Sequence, residues 1–172
     1  HLNFCHQMIW INPEHPKQLT AIFRNLADVS LSGIFPECDL SWTLFILEAA
    51  PALQKFTLSR AQLCAKTAVD SAEKTNVVWR PSKDLKHLNL KKLAFQGFKE
   101  EDKVTNYIRL VMERAVGLKR IVLLGELPCQ DCNDCKRKCK VDKARRRRVK
   151  EQLAHGSCSS VEIIICTLKC QH

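Results

Sequence analysis

Four cysteines stand close together in the second half of the sequence with the spacing C-x2-C-x2-C-x3-C: Cys129, Cys132, Cys135 and Cys139. Such a run could hold an iron–sulfur cluster, but the cluster motif continues with proline where this chain has Lys140. Zinc fits the chemistry better, because neighbouring lysines and arginines favour the thiolate form that binds metal. Structural zinc sites, however, usually pair two hooks that are a dozen or more residues apart. We therefore expect these thiols to be unliganded, and we expect no cofactor.

The remaining reactive side chains show no catalytic pattern. The six histidines form no H-E-x-x-H group, and the sequence has no G-x-S-x-G motif, P-loop or dinucleotide fingerprint. Single histidines that stand near the start of a predicted strand, as His87 does, are usually structural. We predict that the chain is not an enzyme and has no catalytic, cofactor-binding or metal-binding residue.

The cysteine content and the hydropathy pattern bear on the compartment. Ten cysteines without a recognisable signal peptide favour free thiols in a reducing compartment, the cytoplasm or the nucleus. No window of about 18 apolar residues predicts a membrane-spanning helix. A membrane is therefore not an expected partner.

The net charge of +10 comes almost entirely from one stretch of the sequence. This basic run, Lys136 to Lys150, has ten basic residues and one acid, Asp142, so it carries +9 and leaves +1 for the rest of the chain. A whole-surface nucleic-acid binder would spread its charge over a face. The run therefore favours a solvated loop or helix face, and nucleic acid is not the partner we expect. The alternative is a nuclear or nucleic-acid-associated protein that acts through this run.

An apolar pattern, L-x-x-L-x-L with other large apolar residues allowed, occurs four times. Its residues are Leu26, Val29 and Leu31; Leu53, Phe56 and Leu58; Leu90, Leu93 and Phe95; and Leu118, Ile121 and Leu123. The last two residues of each motif are two apart, so they share one face of a strand. The chain also matches itself at offsets of 64 and 65 residues: Asn25-Leu26 and Gly33-Ile34 parallel Asn89-Leu90 and Gly97-Phe98, and Leu47-Glu48 parallels Met112-Glu113.

The segments between these motifs predict helices. One helix is expected over residues 39–50, before Pro51, and a second begins at Asp102 or Thr105 and ends at Gly117. Residues 161–166 are rich in β-branched side chains and predict a fifth, buried strand, and residues 143–153 predict a basic helix. The pattern predicts an α/β fold, a leucine-rich-repeat-like solenoid of parallel strands and helices in two tandem units of about 64 residues.

The second half of the chain resembles the FBD domain that ends many plant F-box/leucine-rich-repeat proteins. The resemblance rests on VWRP at 78–81, HLNLKKLAFQGF at 87–98, KVTNYIRLVMER at 103–114, LKRI at 118–121 and SVEI at 160–163. The family pattern is a strand ending in Gly-Phe, a helix ending in a leucine motif, and a second strand. The chain then divides into a leucine-rich-repeat-like segment, 1–78, and an FBD-like domain, 79–172, with a Cys-rich and basic insertion at about 128–150 that looks most like grass members.

The resemblance implies a non-enzymatic protein-interaction module, the substrate-recognition end of an F-box-type ubiquitin-ligase receptor. Its partner would be a protein, the ligase substrate, whose identity the sequence does not give. An F-box is a helical module of roughly 40–50 residues, for which residues 1–24 are too few. We therefore expect that this chain by itself does not bind the ligase scaffold.

Overall fold

The computed structural model describes residues 16–34, 36–60, 80–125, 143–154 and 160–166. Five strands lie in these ranges: β1 (Asp28–Ile34), β2 (Lys55–Arg60), β3 (Lys92–Gln96), β4 (Arg120–Leu124) and β5 (Glu162–Cys166). The helices are α1 (Pro16–Phe23), α2 (Phe45–Ala49), α3 (Asp102–Arg114) and α4 (Lys143–Ala154), and a 3-10 turn, Ser41–Leu44, runs directly into α2. The fifth strand and the basic helix are where the sequence predicts them, but the prediction that this strand is buried is wrong, because β5 is at the edge of the sheet and its side chains are half-buried or exposed.

The strands form one parallel sheet in the order β1-β2-β3-β4-β5. Every strand therefore lies beside its neighbour in the chain. The leucine motifs are aligned across the sheet in two rows: Val29, Phe56, Leu93, Ile121 and Ile163 in the first, and Leu31, Leu58, Phe95, Leu123 and Ile165 in the second. The predicted α/β fold with parallel strands is confirmed.

These two rows form the inner face of the sheet, which packs with the helices into one apolar core. The inner side chains of β1 to β4 are at most 2% exposed, whereas those of β5 are half-buried. The first leucines of the second and third motifs, Leu53 and Leu90, are fully buried and add to the same core. Each such side chain stabilises the fold by about 1.5–3 kcal/mol through the hydrophobic effect.

The helix predicted over residues 39–50 begins later and in a different form. The Asp39 carboxylate accepts a hydrogen bond from the Ser41 backbone N–H at 2.6 Å, and the chain then makes the 3-10 turn before α2. The Thr43 hydroxyl in this turn donates to the Leu40 carbonyl at 2.7 Å. It therefore accepts from the Tyr107 hydroxyl of α3, 2.6 Å away. Burial raises the pKa of Tyr107 well above its ordinary value, so this donor keeps its proton.

A second polar contact fastens the end of β2 to the start of α3. Both terminal nitrogens of Arg60 lie 3.2 Å from one carboxylate oxygen of Glu101, and the guanidinium also donates to the Pro36 carbonyl. The Arg60 side chain is only 4% exposed. Gly97 follows β3 with φ +75°, and a Cβ there would lie 3.2 Å from the Cβ of Arg60. Glycine therefore suits this position for both its backbone angle and its lack of a side chain.

Candidate functional site: the open face of the sheet

The alternation along each strand turns every second side chain away from the core. We call this outward surface the open face of the sheet. Its middle row runs through aligned positions of the five strands: Ser30, Thr57, Ala94, Val122 and Ile164. All of these are half-buried except Ala94, which is buried. The row therefore changes from hydroxyl side chains on β1 and β2 to apolar side chains on β3, β4 and β5.

The row at the carboxyl ends of the strands changes in the same direction. Ser59 of β2 is aligned with Gln96, Gln96 with Leu124, and Leu124 with Cys166. Together with the middle row, this places four half-buried apolar side chains side by side on β4 and β5. We call these residues the apolar quarter: Val122, Leu124, Ile164 and Cys166.

Charged residues form the remaining row, at the amino ends of the strands. Asp28 and Lys55 form an ion pair at 2.7 Å at one side of the sheet, and Arg120 and Glu162 form another at 2.7 Å at the other side. Lys92 is aligned between them, next to Lys55 and Arg120. Surface pairs of this kind stabilise a fold by about 0–1 kcal/mol. Their effect here is to fix the sign of the charge at each point along one border of the open face.

Most of the residues that were considered for chemistry in the sequence are not on the open face. The cysteine run, Cys129 to Cys139, and the first part of the basic run, residues 136–142, lie outside the described residues, as do five of the six histidines. Within the ranges that are described, no group of three His, Cys, Asp or Glu side chains could hold a metal ion. None of the helices described there has the length and apolar character needed to cross a bilayer.

His87 is the histidine that the structure describes, and both ring nitrogens have backbone partners. Nδ1 accepts from the Leu90 N–H at 3.0 Å, so Nε2 carries the proton and donates to the Ala50 carbonyl, also at 3.0 Å. The residue is 3% exposed, as is usual for a histidine that links backbone segments. Burial lowers the pKa of His87 below its usual value of 6.5, and the nearby Lys91 charge lowers it further, against an opposing effect of the Ala50 hydrogen bond.

Acid is therefore expected to destabilise the fold through His87. Because its pKa is lowered in the folded state, the unfolded chain binds more protons as the pH falls, and stability present above about pH 6.5 is lost as the pH falls through the lowered pKa. His87→Gln should lower the free energy of unfolding by about 1–3 kcal/mol at neutral pH, since Gln cannot satisfy both backbone groups in the same way. Urea unfolding at several pH values checks this. An acid-induced loss of stability as large in the variant as in the original chain would contradict it.

The open face was not among the features predicted from the sequence. Its signal was present in the residues that alternate with the apolar ones of each motif, such as Thr57 between Phe56 and Leu58, and Val122 between Ile121 and Leu123. A change from polar to apolar along this series becomes a surface only when the order and register of the strands are known.

Comparison of the chain with protein-family models, with curated proteins and with solved structures finds no match. Its function is therefore inferred from the geometry of the sheet and from the sequence patterns that the sheet aligns.

Proposed function

We propose that this chain is a non-enzymatic protein-interaction module that recognises a protein partner with the open face of its sheet. The observation that carries the proposal is the alignment of five parallel strands in chain order, which gathers the apolar quarter at one side of that face. Apolar side chains that lie together on a surface and are bordered by charges are typical of protein interfaces. Arg120 and Glu162 form such a border directly beside Val122 and Ile164.

The architecture supports a leucine-rich-repeat-like solenoid of two tandem units of about 64 residues. In such solenoids each strand packs against the next one in the chain, and the strand surface binds the partner. Gly33 and Gly97, which the repeat aligns, both have positive φ, 81° and 75°. The Thr43–Tyr107 hydrogen bond likewise joins residues that are 64 positions apart, one from each proposed unit.

The resemblance to the FBD domain extends the proposal to a biological role. β3 is followed by Gly97 and Phe98, α3 leads into the leucine motif of β4, and β5 follows, which is the order of the FBD pattern. The proposed segments, 1–78 and 79–172, share one sheet, because β2 pairs with β3. The chain would be the substrate-recognition end of an F-box-type ubiquitin-ligase receptor. It would act in the cytoplasm or nucleus, where thiols outside disulfides, such as that of Cys166, persist.

Charge placed in the apolar quarter tests this function. The double variant Val122→Asp/Ile164→Asp should weaken binding to a protein recovered with the tagged chain from a plant lysate by at least about 10-fold, because two carboxylates must then be desolvated at the interface. The recovered protein is purified and its affinity is measured by isothermal titration calorimetry. Circular dichroism and thermal unfolding show whether the variant remains folded.

Val116→Asp is the matched control. Val116 is 55% exposed in the turn after α3 and is not part of the open face. It should therefore bind the partner as the original chain does. Equal loss of affinity in the control and in the double variant, or full binding by a folded double variant, would exclude the open face as the recognition surface.

A further inference from the structure

The basic helix α4 is held to the rest of the protein along one side. Val149 is 3% exposed and Leu153 is fully buried, and both belong to the apolar core. From α3, Arg109 donates through Nε to the Gln152 carbonyl at 3.0 Å. These contacts fix the orientation of the helix, so one side of α4 is committed to the core and another side is presented to solvent.

The solvent side of α4 is strongly basic. The 12 residues of the whole helix include six basic ones and one acid, Glu151, which gives α4 a net charge of +5. Lys143, Arg147, Arg148 and Lys150 are exposed, and the side chains of Arg147 and Arg148 are 83% and 63% exposed. We call these four residues the outer basic face of α4.

Two carboxylates near this face leave its four basic residues with a net charge of +2. Glu151 pairs with Arg147 at 2.7 Å, and Glu100 lies 3.9 Å from Arg148. Lys143 and Arg147 are four residues apart, and Arg147 and Lys150 are three apart, so like charges are neighbours along the helix. Such pairs destabilise a helix, and a bound polyanion would offset their repulsion.

The side chains on this face suit a phosphate backbone. Arginine binds phosphate through two parallel N–H donors. The apolar residues of α4 that are described as buried, Val149 and Leu153, are not free to enter a lipid bilayer, as the apolar face of an interfacial helix must. The described tryptophan and tyrosine, Trp42 and Tyr107, are buried in the core, and α4 has no aromatic residue on which single-stranded bases could stack.

We propose that the outer basic face of α4 binds the phosphate backbone of double-stranded nucleic acid, an activity separate from partner recognition by the open face. The four residues of this face span about 10.5 Å of the helix from Lys143 to Lys150, so their mean spacing along the axis is about 3.5 Å. One strand of a duplex carries a phosphate per about 3.4 Å of axis. The sequence favours a plain solvated face for the basic run. The structure adds the anchored helix and the spacing of its exposed charges.

The triple variant Arg147→Gln/Arg148→Gln/Lys150→Gln tests the proposal. Fluorescence anisotropy with a labelled DNA duplex of about 20 base pairs, between about 50 and 200 mM salt, should show binding by the original chain with a steep salt dependence. The triple variant should bind at least about 10-fold more weakly. Its log–log salt slope should be shallower by about 2.7, since each of three phosphates that the variant no longer neutralises contributes about 0.9.

Two further variants separate this site from the charge of the whole chain. Lys83→Gln/Lys86→Gln/Lys119→Gln removes the same charge from exposed residues outside α4 and should leave the salt slope unchanged. Arg147→Lys/Arg148→Lys keeps the charge and should keep the slope. The absence of duplex binding by the original chain, or equal weakening in the Lys83 control, would overturn the proposal. Binding to poly-L-glutamate or to vesicles of anionic lipid without binding to the duplex would also overturn it.

Discussion

Gly117→Ala is expected to destabilise the chain by about 3 kcal/mol or more, one of the largest effects of a single methyl group in this protein. A Cβ at Gly117 would lie 1.8 Å from the Leu88 carbonyl oxygen and 2.6 Å from its carbon. Both atoms are backbone, so no side-chain rotation can make room. The Gly117 N–H also faces the His87 carbonyl at 3.4 Å, and the His87 N–H donates to the Arg114 carbonyl at 2.7 Å. The methyl group must therefore separate two segments that hold the His87 ring in place.

The comparison that isolates this effect is Gly125→Ala. A Cβ at Gly125 meets no heavy atom of the described residues within 4 Å, so the free energy of unfolding of this variant should lie within about 0.5 kcal/mol of that of the original chain. Gly97→Ala should fall between the two, at about 1–2 kcal/mol, because of its positive φ and its contact with Arg60. Urea unfolding followed by circular dichroism gives all three values. The same midpoint for the Gly117 and Gly125 variants would show that the close approach to Leu88 does not constrain the fold.

The role of Gly117 illustrates what the sequence could and could not predict. Gly117 stands three residues after the last residue of α3 and marks the end of that helix. This signal can be read from the local sequence alone. Its contact with Leu88 depends on how the turn after α3 meets the approach to β3, which are far apart in the sequence. Steric constraints of this kind follow from tertiary packing and leave no periodic signal.

The strands were predictable for the opposite reason. The motif L-x-x-L-x-L sets two apolar residues on one face within six residues, and the parallel register then follows from stacking the same motif repeatedly, as with Phe56, Leu93 and Ile121. The polar contacts between elements were not predictable. The Thr43–Tyr107 and His87–Ala50 hydrogen bonds join residues of ordinary local character across 64 and 37 positions.

The second large effect on stability is expected at the ion pair of Arg60 and Glu101. Removing one partner should cost a different free energy of unfolding from removing the other. Glu101→Ala leaves a guanidinium that is 4% exposed without its carboxylate, and removing one partner of a buried pair costs about 3–5 kcal/mol. Because Glu101 itself is 32% exposed, water screens the pair and the expected cost falls to about 2 kcal/mol. Glu113→Ala is the control. Glu113 is 68% exposed near the other end of α3, and its loss should change stability by less than about 0.5 kcal/mol.

Arg60→Met should cost less than Glu101→Ala, although it removes the larger side chain. Methionine can replace the apolar stem of Arg60, and the released Glu101 carboxylate is exposed enough to be hydrated. The Pro36 carbonyl keeps a donor, because Lys103 Nζ lies 2.9 Å from it. Free energies of unfolding for the two single variants and the double variant close a thermodynamic cycle. If Arg60→Met is the more costly single change, then packing and the Pro36 contact, rather than charge compensation, are what this buried arginine contributes to the junction of β2 and α3.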